Sequence, residues 1–242
     1  MSSPAGRGAE RKLELEGVVK HYRGVAEQVR AVDGVTMTIS QGEVVSLLGP
    51  SGSGKTTLLL LMAAILRAEA GVIRYGGRDL ASFSTGEKSS YLMYEVGFIF
   101  QRSRFWPRSS TIRNAAEKLV AAGVGVRDAC ERTIPWLERV GLGERLDYPA
   151  GQLSGGERQR LAIARVLACE PRLILADEPT GSLDSERSKQ VVEMLRSISH
   201  DRGAMVVIVT HDSSIAALAD TRYTLRDGSL AGEISPMPIV GS

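Results

Sequence analysis

Apolar residues along this chain fall into blocks of two kinds that alternate. The first kind is a short apolar run that stops at a turn signal. Residues 44–48 run into Gly49-Pro50, 72–75 into Gly76-Gly77, 96–100 into Gln101, 173–176 into Asp177-Glu178, and 206–209 into Thr210-His211. Such runs read as strands, with 72–75 and its two glycines as a hairpin arm. The second kind is longer and reads as helix: 56–66, 114–122, 129–140, 157–169 and 185–199. The first of these is apolar nearly all round, as a buried helix is. Pro135 falls inside 129–140, where a proline either kinks a helix or marks its true start. Pro171 closes 157–169. From about 102 to 170 strand-like runs cease and helical patterns replace them. Residues 1 to about 11 read as a disordered tail.

Alternating strands and helices predict a largely parallel sheet covered by helices. In such sheets ligands bind beyond the carboxyl ends of the strands. The Gly49 loop, the pair Asp177-Glu178 and His211 each follow a strand, so they converge on one edge.

Composition narrows the picture. At 242 residues the chain is long for one compact domain and short for two, which suggests one domain with an inserted lobe. The net charge of +2 gives no electrostatic case for nucleic acid. Cys130 and Cys169 stand alone and fit neither a disulfide framework nor a zinc site; they read as buried or half-buried thiols. Residues 1–11 have no apolar segment of the kind a signal peptide needs. The longest apolar run, LLLLMAAIL at 58–66, is far short of the about 20 residues that span a bilayer. A cytosolic location is therefore expected. No internal repeat is evident.

Residues 49–56 read GPSGSGKT and fill every fixed position of a phosphate-binding loop. Its glycines let successive N–H groups point at a phosphate chain. Lys55 supplies a positive charge to the outer phosphates, Thr56 offers a hydroxyl to Mg²⁺, and the following helix adds its positive end. Asp177 is placed to hold Mg²⁺, directly or through water. Glu178, one residue on, is placed to orient or deprotonate an attacking water. Residues 153–159 read LSGGERQ, in which Ser154 and Glu157 form a helix capping box. The capping rule does not require Gly155 and Gly156, which bare backbone N–H groups for an anion. His211 is a candidate γ-phosphate contact, and Gln101 a candidate for the metal or the water. Tyr22 either stacks on a base or packs as a strand aromatic. His21 and His200 have no such context, and His200 reads as a surface residue.

Together these segments resemble the nucleotide-binding subunit of ATP-binding-cassette (ABC) transporters, over about residues 12–230. The matching elements are Tyr22 as adenine-stacking aromatic, GPSGSGKT as Walker A, Gln101 as Q-loop, LSGGE as signature, LILADE as Walker B, Ser182-Leu183-Asp184 as D-loop and His211 as switch histidine. LSGGE is the most specific, because most phosphate-loop proteins lack it. The resemblance implies an α/β fold: a RecA-like phosphate-loop core at about 12–101 and 171–230, an antiparallel β subdomain, an inserted helical subdomain at about 102–170, and a short C-terminal tail. It implies ATP and Mg²⁺ as cofactors. Residues Gly49, Pro50, Ser51, Gly52, Ser53, Gly54, Lys55, Thr56 and Thr57 would cradle the nucleotide, with Ser154, Gly155, Gly156, Glu157 and Asp184 completing the site. Lys55, Gln101, Glu178 and His211 would carry the chemistry, and Thr56, Gln101 and Asp177 the metal.

The resemblance further implies a head-to-tail pair of cassettes, as a homodimer, with each ATP between one copy's Lys55 and the other's Ser154 and Gly156. The partner it implies is a separate integral-membrane permease, which would hold the chain at the cytoplasmic face of the membrane. The run ADEPTGSLD, the phrase GFIFQ and the pieces THD and LRDG resemble the group serving lipoprotein release, macrolide and peptide export, and cell-division permeases. Within that group an ATP-driven mechanotransmitter that carries nothing is the alternative to a transporter. Several positions depart from the group's pattern: Ala63-Ala64 where glycines are common, 68–71 (AEAG), and 102–106 (RSRFW) after Gln101. The last touches the partner-binding region and bears on which permease is served. A soluble ABC ATPase acting on DNA or ribosomes is disfavoured by length, and a simple phosphate-loop kinase by LSGGE.

Overall fold

The computed structural model describes residues 11–23 and 28–234. The expected tail at 1–11, apart from Arg11, and the end of the C-terminal tail from 235 lie outside the described residues. In chain order the elements are β1 (Lys12–Arg23), β2 (Gln28–Ser40), β3 (Val44–Leu48), α1 (Lys55–Met62), β4 (Ala70–Tyr75), β5 (Arg78–Asp79), α2 (Thr85–Ser90), β6 (Val96–Ile99), α3 (Thr111–Ala121), α4 (Val126–Arg139), α5 (Gly155–Leu167), β7 (Leu173–Asp177), α6 (Ser185–Arg202), β8 (Met205–Thr210), α7 (Ser213–Ala216), β9 (Thr221–Arg226) and β10 (Ser229–Ile234).

Two sheets organise them. A six-stranded sheet has the order β10-β9-β3-β8-β7-β6, and all its pairings are parallel except β9–β10. A four-stranded antiparallel sheet has the order β2-β1-β4-β5. The central strands β3, β7 and β8 are buried on both faces, and their residues alternate between two cores. Val44, Ile174, Ala176, Val206 and Ile208 join the core shared with α5, α6 and the helical subdomain. Val45, Leu47, Leu173, Leu175, Val207 and Val209 face α1 and the antiparallel sheet. Burying each such valine, leucine or isoleucine side chain contributes about 1.5–3 kcal/mol. No helix among the described residues is long and apolar enough to cross a membrane.

The structure corrects three local expectations. The helix after the phosphate loop ends at Met62, not at 66. Ala64 there has φ 54°, a left-handed conformation that a glycine adopts freely and an alanine only at a cost. Pro135 does not start a helix: α4 begins at Val126, after Gly125, and stays helical through Pro135. Strand β6 stops at Ile99, so Gln101 lies two residues beyond the strand rather than at its end. His200 lies on the surface, as expected, and its Nε2 meets Asp220 Oδ2 at 3.0 Å. The same carboxylate oxygen accepts from Val44 N–H at 2.8 Å.

Candidate active site

Three strand ends of the parallel sheet meet at one edge. Strand β3 delivers the phosphate loop, β7 delivers Asp177 and Glu178, and β8 delivers Thr210 and His211. The registers Leu48↔Thr210 and Asp177↔Val209 place these ends side by side.

The loop is held open by what its glycines touch. Gly54 has φ 100°, and a Cβ there would collide with the backbone of Ala31 in β2. A Cβ on Gly49 would collide with the Leu225 carbonyl of β9. The turn after β9 grips the loop from outside, since Gly228 N–H donates to Ser53 O at 3.2 Å. Lys55 is buried, and its ammonium donates to Gly49 O and Pro50 O, both at 2.7 Å. Burial lowers its pKa, while the charges of Glu178 and Asp177 act the other way. The Ser53 hydroxyl is buried with no hydrogen-bond partner among the described residues. A buried orphan donor inside a ring of N–H groups is a place for an anion.

Thr56 Oγ1 donates to Asp177 Oδ2 at 2.8 Å. Burial raises the Asp177 pKa, the Thr56 bond opposes that rise, and the neighbouring Glu178 charge adds to it. The two hard oxygens, from Thr56 and Asp177, suit Mg²⁺, which takes one or two protein ligands beside phosphate and water. No cluster of three or more His, Cys, Asp or Glu able to hold a metal occurs among the described residues. Nucleotide phosphates and water would therefore complete such a site.

Glu178 has φ 48°, a strained value for a residue with a Cβ. Its N–H donates to Val209 O at 3.0 Å, and Oε1 meets His211 Nδ1 at 2.9 Å. The Glu178 side chain is nearly enclosed, at 12% exposure, whereas the His211 ring is 72% exposed. The carboxylate is thus aimed by a ring that is itself free to meet a ligand. Gln101 and Tyr22 are exposed, Tyr22 with Lys20 Nζ 5.5 Å from its ring centroid.

The segment 154–157 behaves differently. Ser154 Oγ accepts from Glu157 N–H at 3.2 Å, and Glu157 accepts from Ser154 N–H at 2.8 Å, a complete capping box. These bonds hold the Glu157 carboxyl below its usual range. Arg145 pairs with that carboxylate at 3.5 Å. Gly155 faces open space, with no atom within 4 Å of a Cβ built on it, while Gly156 packs on Ser182 and Leu183. Asp184 caps α6 by accepting from Arg187 N–H at 2.9 Å. No hydrogen bond or ion pair among the described residues joins 154–157 to the phosphate loop. Sequence reasoning missed the roles of Gly228 and Ala31 in holding that loop. Gly228 lies in the LRDG phrase, a visible turn signal whose spatial neighbour the sequence alone did not reveal.

The ABC transporter family profile matches residues 32–181, more than half of the chain. The chain belongs to the ABC transporter family. It is 38% identical over 223 residues to the lipoprotein-releasing system ATP-binding protein LolD 1 of Caulobacter vibrioides, covering 92% of this chain and 95% of that one. It is 38% identical over 233 residues to the macrolide export ATP-binding/permease protein MacB of Syntrophobacter fumaroxidans, matching 94% of this chain but 33% of that longer protein. The fold superposes on the dimeric ABC transporter cassette MJ0796 with a TM-score of 0.87 and 31% identity, covering 92% of this chain and 98% of that one. A post-hydrolysis form of that cassette, bound to ADP and Pi, matches equally well, with a TM-score of 0.87 and 30% identity. The protein is an ABC ATPase cassette with an antiparallel β subdomain and a helical subdomain.

One consequence concerns Asp177 alone. Its raised pKa means that its ionised form weakens the nucleotide-free fold. Stability is fullest below the unfolded value, near 4, and falls as pH rises through the raised folded value. Asp177→Asn should therefore melt at a higher temperature than the parent at pH 7 in EDTA, with the gap closing toward pH 4. A lower melting temperature for the variant at pH 7 contradicts this.

Proposed function

We propose that the chain hydrolyses ATP at sites shared between two copies, and that this cycle drives a separate integral-membrane permease in export or extraction. What supports the reading is that Lys55, Asp177, Glu178 and His211 assemble in one chain while the face at Ser154 and Gly155 stays apart and open.

In this scheme the outer phosphates of ATP replace Gly49 O and Pro50 O at Lys55 Nζ. Ser53 Oγ and the loop N–H groups, from Gly49 to Thr57, take the remaining phosphate oxygens. Tyr22 covers the base. Thr56 and Asp177, with Gln101, would hold Mg²⁺, which when bound would neutralise charge on the phosphates. Glu178 takes the proton of the attacking water. His211 holds that carboxylate in place and presents its exposed ring edge to the γ-phosphate. The facing copy supplies the Ser154 hydroxyl and the N–H groups of Gly155 and Gly156 at its helix N-terminus. Ser154 Oγ accepts one bond within its own cap, so its O–H remains free to donate. Glu157 fixes the cap, and Asp184 lies at the start of α6 behind Gly156. The kinship with lipoprotein-releasing and macrolide-export cassettes suggests an amphiphilic cargo and a position at the cytoplasmic face of the membrane.

A shared site makes turnover depend on pairing. ATP hydrolysis per chain should rise with protein concentration through the range where monomers pair, and then level off. Turnover per chain that is constant across a wide dilution series would sink the reading.

A further inference from the structure

Helix α5 does more than carry Ser154 at its start. Eleven residues on, Arg165 reaches the segment that follows Gln101. Its guanidinium donates to Arg104 O at 3.1 Å and lies 4.7 Å from the Phe105 ring centroid. It also pairs with Glu117 Oε2 of α3 at 3.4 Å, and the other oxygen of Glu117 accepts from Trp106 Nε1 at 3.0 Å. Only 17% of the Arg165 side chain is exposed, so these bonds are poorly screened.

The chain just before Ser154 is laced to the same segment. Ala150 N–H donates to Ser109 O at 3.0 Å, and Gly151 N–H to Pro107 O at 2.9 Å. Asn114, fully buried, accepts from Trp106 N–H at 2.8 Å and donates to Trp106 O at 3.1 Å. By contrast, Gln101 and Arg102 are exposed, and the one side-chain bond shown for 101–103 is a long 3.5 Å contact from Ser103 Oγ to Phe100 O. The segment 104–109 is therefore bound to α5 and its approach, and joined to β6 by a loosely held link.

We infer that Arg165 and Glu117 are positioning residues that lock the 104–109 segment to α5, so that a pull on Ser154 at the start of the helix is delivered to the whole segment, Trp106 included. Trp106 is 67% exposed and stands near the exposed Arg108 in sequence. The inference rests on the shared-site reading, because the pull comes from ATP held by a facing copy. The locking residues touch neither the phosphate loop nor Glu178.

Amide hydrogen exchange on the full chain tests this. In a Glu178→Gln background, ATP should slow exchange over 149–157 and over 104–111 together. Adding Arg165→Ala should leave the slowing over 149–157 and remove about tenfold of it over 104–111, the scale of one hydrogen bond to a charged group. Glu117→Gln keeps an acceptor for Trp106 but loses the ion pair, on a surface site that tolerates change. It should act in the same direction, less strongly. The readout is the ATP-dependent change, which general loosening of the segment does not produce. Equal slowing over 104–111 with and without Arg165, or slowing at 149–157 alone in the Glu178→Gln parent, overturns the inference. Light scattering on the same samples reports pairing separately. Failure of the parent to pair in ATP overturns the shared-site reading, and this inference with it.

Discussion

Glu178→Gln is expected to keep ATP binding, lower turnover by about two to four orders of magnitude, and hold the protein as a pair in ATP. The magnitude is that of a general base positioned on its proton. Glutamine is isosteric and still accepts a hydrogen bond from His211, whose Nδ1 is 2.9 Å from Oε1 in the parent. The geometry at the φ 48° backbone is therefore kept while the basicity is lost. Removing a negative charge beside the phosphates also favours bound ATP over the empty site. Single-turnover hydrolysis and filter-retained ATP separate the two effects. Undiminished steady-state hydrolysis in this variant would remove Glu178 from the role.

Ser154→Arg is expected to abolish hydrolysis while each monomer still binds ATP. The substitution costs the cap of α5 about 1 kcal/mol, which α5, with seven buried residues, tolerates. Its larger effect is steric: a long cationic side chain now fills the face that Gly155 leaves open. ATP binding to the monomer is spared because Lys55 and the loop lie elsewhere in the chain. Lys55→Ala is the control, since it removes the buried ammonium that the outer phosphates need. Equilibrium ATP binding at low protein concentration distinguishes them. If Ser154→Arg monomers lose ATP as badly as Lys55→Ala, the shared site is wrong.

The parallel core was legible because its strands are uninterrupted apolar runs ending in turn signals, as at Val44–Leu48 and Leu173–Asp177. The antiparallel sheet was harder to read from pattern. Strand β1 alternates cleanly at Leu13 and Leu15, but Gly17 at φ 57° and register shifts between Leu15 and Lys20 break the period of two. Its presence was expected from the family resemblance rather than from periodicity. Pro135 left open whether it lies inside a helix or starts one; it lies inside, because proline removes one helical bond while the buried Ala129, Thr133, Trp136 and Leu137 still hold one face of α4 in the core. At the site, local motifs gave the phosphate loop, the acid pair and His211, which the sheet registers then bring to one edge. Contacts between distant segments, such as Ala31 against Gly54 or Arg165 against Arg104, carry no local signal, because either partner alone is an ordinary residue in its element.

The central claim is that one chain holds only half of each ATP site. Light-scattering mass in ATP, measured on Glu178→Gln and on Glu178→Gln combined with Ser154→Arg, tests it most directly. The account predicts a dimer for the first and a monomer for the second, each with ATP bound. A monomer in the first, or an equally stable dimer in both, contradicts it.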